Sequence, residues 1–227
     1  MYTLVLLSGG IGSRMHNDIP KQYILLAGKP MIMHVLEKVN LIETIEKIVI
    51  VCAKEYQSSI SLMLDQYGII KPVEFASAGN TRQASVLSGL KKVDTPDVII
   101  HEAARPFVKI KDYQELINEP TNNAMIGLDI PFTVVQGHEN VEGILDRSAL
   151  VNVQLPQKFK TSLLLDAHLK AEQEHKLFTE DASLLYYYHP ETSIKIVKGK
   201  EYNIKITTRI DMLYGELIYD EIFRRRK

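Results

Sequence analysis

Apolar positions along this chain follow two rhythms. Short, nearly continuous runs occur at Tyr2–Leu7 (YTLVLL), Lys47–Ala53 (KIVIVCA), Pro72–Ala76 (PVEFA), Asp97–His101 (DVIIH), Ala124–Ile130 (AMIGLDI) and Ser193–Val197 (SIKIV). Between them, at about 30–40, 55–67, 80–92 and 111–118, apolar residues recur three or four apart, as Ile32, Val35, Leu36 and Val39 do. The first rhythm predicts strands buried on both faces, the second amphipathic helices. Their alternation predicts an α/β fold with a mostly parallel sheet and helices on both faces. Residues 131–160 break the pattern. They read as two extended pieces about a glycine-containing turn, then a Pro-bounded loop, and predict an arm outside the sheet over about 131–157. Helical patterns resume at 161–176 and 209–224. No repeat, low-complexity tract or Gly/Ser/Pro-rich linker divides the chain, so residues 1–227 read as a single domain. In an open α/β sheet, ligands bind beyond the carboxyl ends of the strands, so residues just after each run rank first as functional candidates.

Composition narrows the class. The 227 residues are 45% hydrophobic and 24% charged, with a formal net charge of −1. Near-neutrality gives no reason to expect nucleic acid or an anionic membrane as partner. The ending RRRK reads as a solvated helix end. One cysteine excludes an intramolecular disulfide, and Cys52, inside KIVIVCA, reads as a small buried hydrophobe. No apolar stretch approaches the roughly 20 residues that span a bilayer. The start MYTLVLLSGG lacks a basic leader, which predicts a soluble, cytoplasmic protein.

Chemistry first gathers after the opening strand, in Ser8-Gly9-Gly10-Ile11-Gly12-Ser13-Arg14-Met15 and Pro20-Lys21-Gln22. The glycines remove Cβ atoms where the backbone turns and let amides face an anion closely. Arg14 and Lys21 add positive charge, completing a cradle for a triphosphate. A dinucleotide fingerprint fails because its third glycine position is Met15, and a Walker A loop fails because Gln22 follows Lys21.

The run SGGIGSRM…PKQY resembles the signature of sugar-phosphate nucleotidyltransferases. More narrowly it is similar to the cytidylyltransferases acting on 2-C-methyl-D-erythritol 4-phosphate and on ribitol 5-phosphate, through motifs in the same order along nearly the whole chain. The resemblance implies a Rossmann-like sheet, CTP with Mg²⁺, and a homodimer whose protruding arms complete shared active sites. It also implies nucleotide contacts from Ser8, Gly9, Gly10, Gly12, Gly79, Ser85 and Ala103, and a catalytic set of Arg14, Lys21, Arg147 and Lys205.

Each later motif carries a structural reading beside the implied one. In Gly79-Asn80-Thr81-Arg82-Gln83-Ala84-Ser85, Asn80 or Thr81 suits a helix cap, while the resemblance turns the segment toward cytosine and ribose. In His101-Glu102-Ala103-Ala104-Arg105, a carboxylate ends a strand beside an arginine, which suits a metal, a substrate hydroxyl or a Glu102–Arg105 ion pair. The family usually has aspartate at Glu102, for which the resemblance implies polyol phosphate and Mg²⁺, and polyol phosphate for Arg105. Arg147, on the arm, matches an arginine that grips substrate phosphate in the neighbouring subunit. Nearby, Val135 replaces a usual threonine, and Leu155-Pro156-Gln157 stands for Thr-Pro-Gln. Thr179 before Glu180-Asp181 reads as a helix N-cap, and Lys205 between Ile204 and Ile206 as an inward lysine whose burial an anion would offset. The resemblance places both on acceptor phosphate. Phosphate-gripping positions are kept and positions near polyol hydroxyls are changed, which points to CTP and a polyol phosphate with the polyol left open. The product would feed either an isoprenoid precursor or a cell-wall or capsular polymer. A nicotinamide oxidoreductase and a non-catalytic nucleotide sensor are the rival classes.

Overall fold

A computed structural model describes residues 1–10 and 20–224. In chain order its elements are β1 (Tyr2–Leu7), a small hairpin of β2 (Leu25–Leu26) and β3 (Lys29–Pro30), α1 (Met31–Asn40), β4 (Ile45–Cys52), α2 (Gln57–Gln66), β5 (Val73–Ser77), α3 (Arg82–Leu90), β6 (Asp97–Glu102) and α4 (Ile110–Asn118). There follow β7 (Asn123–Asp129), β8 (Val135–Gln136), β9 (Gly143–Ile144), β10 (Val151–Lys160), α5 (Thr161–Gln173), α6 (Asp181–Tyr188), β11 (Ile194–Lys198) and α7 (Arg209–Tyr219). Seven strands form one sheet in the order β11-β7-β10-β6-β1-β4-β5. All neighbours are parallel except β10, which runs antiparallel to both β6 and β7. The expected α/β, mostly parallel sheet is therefore the observed one.

Alternation along the buried strands builds two cores. Leu4, Leu6, Ile48, Ile50 and Ile99 face α1, α2 and α4, where Leu36, Val39, Ile60 and Tyr113 meet them. Val5, Val49, Val51, Val98 and Ile100 face the other way, onto Val86, Leu90, Leu164 and Leu185 of α3, α5 and α6. Cys52 is fully buried, as expected, and burial pushes its thiol up to about 11. Among the described residues no helix is long and apolar enough to cross a membrane.

One boundary differs from expectation. The arm comprises 131–150, with β8 paired to β9 about a turn in which Gly137 has φ +134°. A Cβ at Gly137 would lie 1.9 Å from the Asn140 carbonyl oxygen, so glycine is required there. Residues 151–157 belong to the sheet instead. Pro156 had suggested a loop, because proline cannot donate to a ladder; β10 accommodates it at a register shift between Gln154 and Gln157.

The chain runs outward from β1 through β4 to β5, then returns to place β6 on β1's other side. The connection order thus reverses between β1 and β6, and a crevice opens beyond their carboxyl ends, the usual ligand position in open α/β sheets. Helix α3 crosses closely behind it. A methyl on Gly89 would lie 2.5 Å from Val5 Cγ1 and 2.9 Å from Val51 Cγ2. Gly89→Ala is therefore expected to destabilise the fold by about 1–3 kcal/mol through overpacking. Urea denaturation measures this, and an unchanged midpoint would mean that the two valines rotate aside without cost.

Candidate active site

A cleft of about 520 Å³ opens at the reversal point, floored by Leu7, Ser8, Gly9 and Gly10 after β1 and by Glu102 and Ala104 after β6. The segment 79–82 with Ser85 forms one wall, and Lys21, Gln22 and Lys205 the other. Close approach explains two glycines. A Cβ on Gly9 would lie 2.4 Å from Ala78 Cβ, and one on Gly79 would lie 2.6 Å from Ala84 Cβ and 3.0 Å from its carbonyl carbon. Gly79 N–H donates to Ser85 Oγ at 3.0 Å, and that hydroxyl donates to the Thr81 carbonyl at 2.9 Å, fastening the loop to the start of α3. Of the two expected caps, Thr81 serves: its Oγ1 accepts from Ala84 N–H at 3.0 Å.

Charge organises the cleft. Glu102, 7% exposed, meets Arg82 Nε with Oε1 at 3.0 Å and Lys205 Nζ with Oε2 at 2.6 Å. Arg82 extends its Nη2 to Asp181 Oδ2 at 2.6 Å, and Asp181 Oδ1 lies 3.1 Å from His168 Nε2. Burial alone raises a carboxyl pKa, but Lys205 and Arg82 outweigh it at Glu102 and hold that group at about 2. At Asp181 burial is likewise overridden, here by Arg82 and His168, and the group is held at about 2. The two carboxylates in turn push the Arg82 guanidinium up against its own desolvation.

Five chain segments are knitted around these charges. Lys21 Nζ donates to the Ile206 carbonyl at 2.9 Å, and Ile206 N–H donates to the Ala104 carbonyl at 2.8 Å. Gln22 Nε2 donates to the Ser8 carbonyl at 2.5 Å. Asn203 Nδ2 donates to the Leu155 carbonyl at 2.7 Å, holding the loop before Lys205 against β10.

The cleft brings together Ser8, Gly9, Gly10, Lys21, Gly79, Ser85, Glu102 and Lys205. Gly12 and Arg14 lie outside the described residues. Ala103 is fully buried and its N–H is spent on the Leu7 carbonyl, so Ala104 presents the lining surface instead. Lys205 is not an inward lysine awaiting an anion: it is 38% exposed and its ammonium is matched by Glu102. Arg105 forms no ion pair with Glu102; it donates to the carbonyls of Asn203 at 2.9 Å and Val153 at 3.5 Å. The α6 cap is Glu180, whose carboxylate accepts from the Ala182 and Ser183 amides, so Thr179 stands one residue earlier and exposed. Arg147 lies on the exposed arm, where Nη1 donates to the Pro131 carbonyl at 2.8 Å. Sequence reasoning missed Arg82, Asp181 and His168. Arg82 stood inside the quoted GNTRQ segment, but only the fold shows that it faces two carboxylates.

Glu102 is the carboxylate of the cleft lining, and each of its oxygens faces a cation. Among the described residues no group of three or more His, Cys, Asp or Glu is arranged to hold a metal ion. They do not fit a protein-built Mg²⁺ cage.

A cationic, glycine-floored cleft at the reversal point of a mostly parallel sheet is the arrangement of an α/β nucleotidyltransferase. The sequence pattern of one such family, described as 2-C-methyl-D-erythritol 4-phosphate cytidylyltransferase, matches residues 2–221. A relative of that name from Geobacillus thermodenitrificans is 35% identical, with 96% of each chain covered. Another, from Halalkalibacterium halodurans, is 34% identical over 99% of each. The crystal structure of the enzyme of the same name from Francisella tularensis superposes with a TM-score of 0.79 at 26% identity, covering 96% of this chain and 99% of that one. The chain belongs to the 2-C-methyl-D-erythritol 4-phosphate cytidylyltransferase family, and it is an enzyme, a cytidylyltransferase.

Acid stability follows from the buried carboxylates. Both are depressed in the folded state, Glu102 from an ordinary 4.5 and Asp181 from 3.8, so on acidification the unfolded chain binds these protons first. Their contribution is fully present above about pH 4.5 and is lost as the pH falls toward about 2. Urea midpoints should drop steeply across that window in the native protein and less steeply in Asp181→Asn. Equal slopes would show that other groups set the acid limit.

Proposed function

We propose that this enzyme transfers the cytidylyl group of CTP to the phosphate of a polyol phosphate, releasing pyrophosphate. The preferred acceptor is 2-C-methyl-D-erythritol 4-phosphate, which its relatives' names carry. The observation supporting this most directly is the convergence of Lys21, Arg82 and Lys205 on one glycine-floored cleft. An acceptor phosphate dianion is already nucleophilic, so its oxygen attacks the α-phosphorus in line and the P–O bond to pyrophosphate breaks opposite. No general base is needed. Catalysis reduces to bringing two polyanions together and stabilising the charge of the pentacoordinate phosphorus. Lys21 faces the triphosphate beside Ser8, Gly9 and Gly10, and Gly79 and Ser85 border the nucleoside; the resemblance adds Gly12 and Arg14, which lie outside the described residues, to the triphosphate contacts. Lys205, which lines the cleft, serves the acceptor; the resemblance assigns Thr179 and Arg105 to the same substrate. Mg²⁺ enters bound to the triphosphate, as part of the substrate. CTP is a soluble metabolite, and the reaction is assigned to the cytoplasm.

A second acceptor, D-ribitol 5-phosphate, follows from the resemblance, in which Glu102 and Val135 take the places of an aspartate and a threonine. Pyrophosphate release with CTP and Mg²⁺ in the presence of each acceptor decides between them. Release with methylerythritol phosphate alone confirms the main reading, release with ribitol phosphate alone the second. Silence with both rejects the polyol assignment.

We further propose a homodimer in which the arm of one subunit brings Arg147 to its partner's cleft. Its support is that the arm exposes Phe132, Val141 and Ile144 and carries Arg147. Lys21→Ala should lower kcat at least ~100-fold, the scale for deleting one transition-state charge contact. A loss under about threefold rejects a catalytic role for Lys21. Arg147→Ala should also be nearly inactive. An equal mixture of the two variants should regain activity as subunits exchange, and a mixture that stays inactive would place each site within one chain.

A further inference from the structure

His168 lies outside the cleft yet ends the line of charges that leads into it. From α5 its Nε2 reaches Asp181 Oδ1 at 3.1 Å, and Asp181 Oδ2 reaches Arg82 Nη2 at 2.6 Å. Arg82 Nε then meets Glu102 Oε1 at 3.0 Å, whose other oxygen meets Lys205 Nζ at 2.6 Å. We propose that His168 is a positioning residue: by fixing Asp181 it orients Arg82 and Glu102, and so sets Lys205 in place before the acceptor phosphate arrives.

The roles of the atoms follow from their chemistry. Asp181 is an ionised carboxylate and only accepts, so His168 Nε2 carries the hydrogen and donates. Both groups are buried, at 0% and 1% exposure, so water does not replace this bond if it is lost. Asp181 would then keep one oxygen on Arg82 and lose the contact that fixes the other. Arg82 sits 22% exposed between two carboxylates, so its orientation depends on how firmly each of them is held. Lys205 is the terminal member and the more exposed one, at 38%. Five segments thereby act as one: α5, the start of α6, the start of α3, the end of β6 and the 203–206 loop.

Because the acceptor role of Lys205 comes from the proposed function, the test has one arm that uses turnover and one that does not. His168→Leu keeps the volume and removes the donor; His168→Gln returns an N–H near the position of Nε2. The leucine variant should raise KM for the polyol phosphate about 10-fold, with KM for CTP changed less than about twofold, as expected for a misplaced contact on one substrate. The glutamine variant should recover most of that loss. In the second arm, Lys205 is labelled with acetic anhydride and read by mass spectrometry. Its labelling should be several-fold faster in His168→Leu, while exposed Lys195 labels at the native rate. If His168→Leu does not fold, Asp181→Asn replaces it in both arms. Equal KM changes for the two substrates, no rescue by glutamine, or unchanged Lys205 labelling would overturn the proposal. A native enzyme silent with both acceptors, but with Lys205 labelling that responds to His168, would overturn the polyol reading and leave the positioning role standing.

Discussion

Arg82 is the charge on which the geometry of the cleft depends. A guanidinium this deeply placed costs several kcal/mol in lost hydration unless carboxylates come to it. Asp181 arrives from α6 and Glu102 from the end of β6, at 2.6 and 3.0 Å. Breaking such a buried pair by removing one partner costs about 3–5 kcal/mol, because the survivor is left uncompensated. The relative placement of α3, α6 and β6 is therefore set by charge as well as by apolar contact. Adding Lys205 balances the set, with two cations against two carboxylates. Lys21 then tips the described cleft toward positive charge, which is the sign a polyanionic substrate needs.

The sheet explains why these groups meet at all. Reversal of the connections between β1 and β6 leaves the carboxyl ends of those strands uncrossed by any crossover, so two loops diverge and a crevice remains. Its floor and one wall have to be thin, which Gly9 and Gly79 achieve by approaching Ala78 and Ala84 more closely than any side chain allows. The antiparallel β10 contributes from the other side. By running back between β6 and β7 it brings Leu155 within reach of Asn203, and so anchors the loop that carries Lys205.

The parts legible in the sequence were those governed by local pattern. Continuous apolar runs marked the central strands, three- and four-residue spacing marked α1 to α4, and the glycine cluster marked the floor of the cleft. Misreadings came where a tertiary partner decides. Pro156 looked like a strand breaker because nothing local reveals a bulge opposite β7. Lys205 looked like a buried cation seeking an anion because Glu102, its actual partner, lies on another strand's end. Thr179 and Glu180 are both competent caps, and only the backbone at Glu180, extended at φ −155°, decides in favour of the latter. Arg82 was invisible as a site residue for the same reason: its two carboxylates stand 20 and 99 positions away.

Ile206 shows how two lysines can be kept ready without being kept bare. Its carbonyl takes the Lys21 ammonium at 2.9 Å, and its N–H fixes it to Ala104, one residue past the loop's first alanine. The neighbouring Lys205 is held by Glu102. The Lys21 contact is one that a phosphate oxygen outcompetes, because a charge-assisted bond to a dianion is stronger than one to a neutral carbonyl, whereas Lys205 is held by a carboxylate and shares its charge between Glu102 and an arriving anion. The resting contacts point both side chains into the cleft rather than out to solvent, so binding requires exchange of partners and not a search through rotamers. Since long lysine side chains lose about 1.5–2 kcal/mol of rotamer entropy when fixed, having that ordering in place before the substrate arrives leaves more of the binding energy for the transition state.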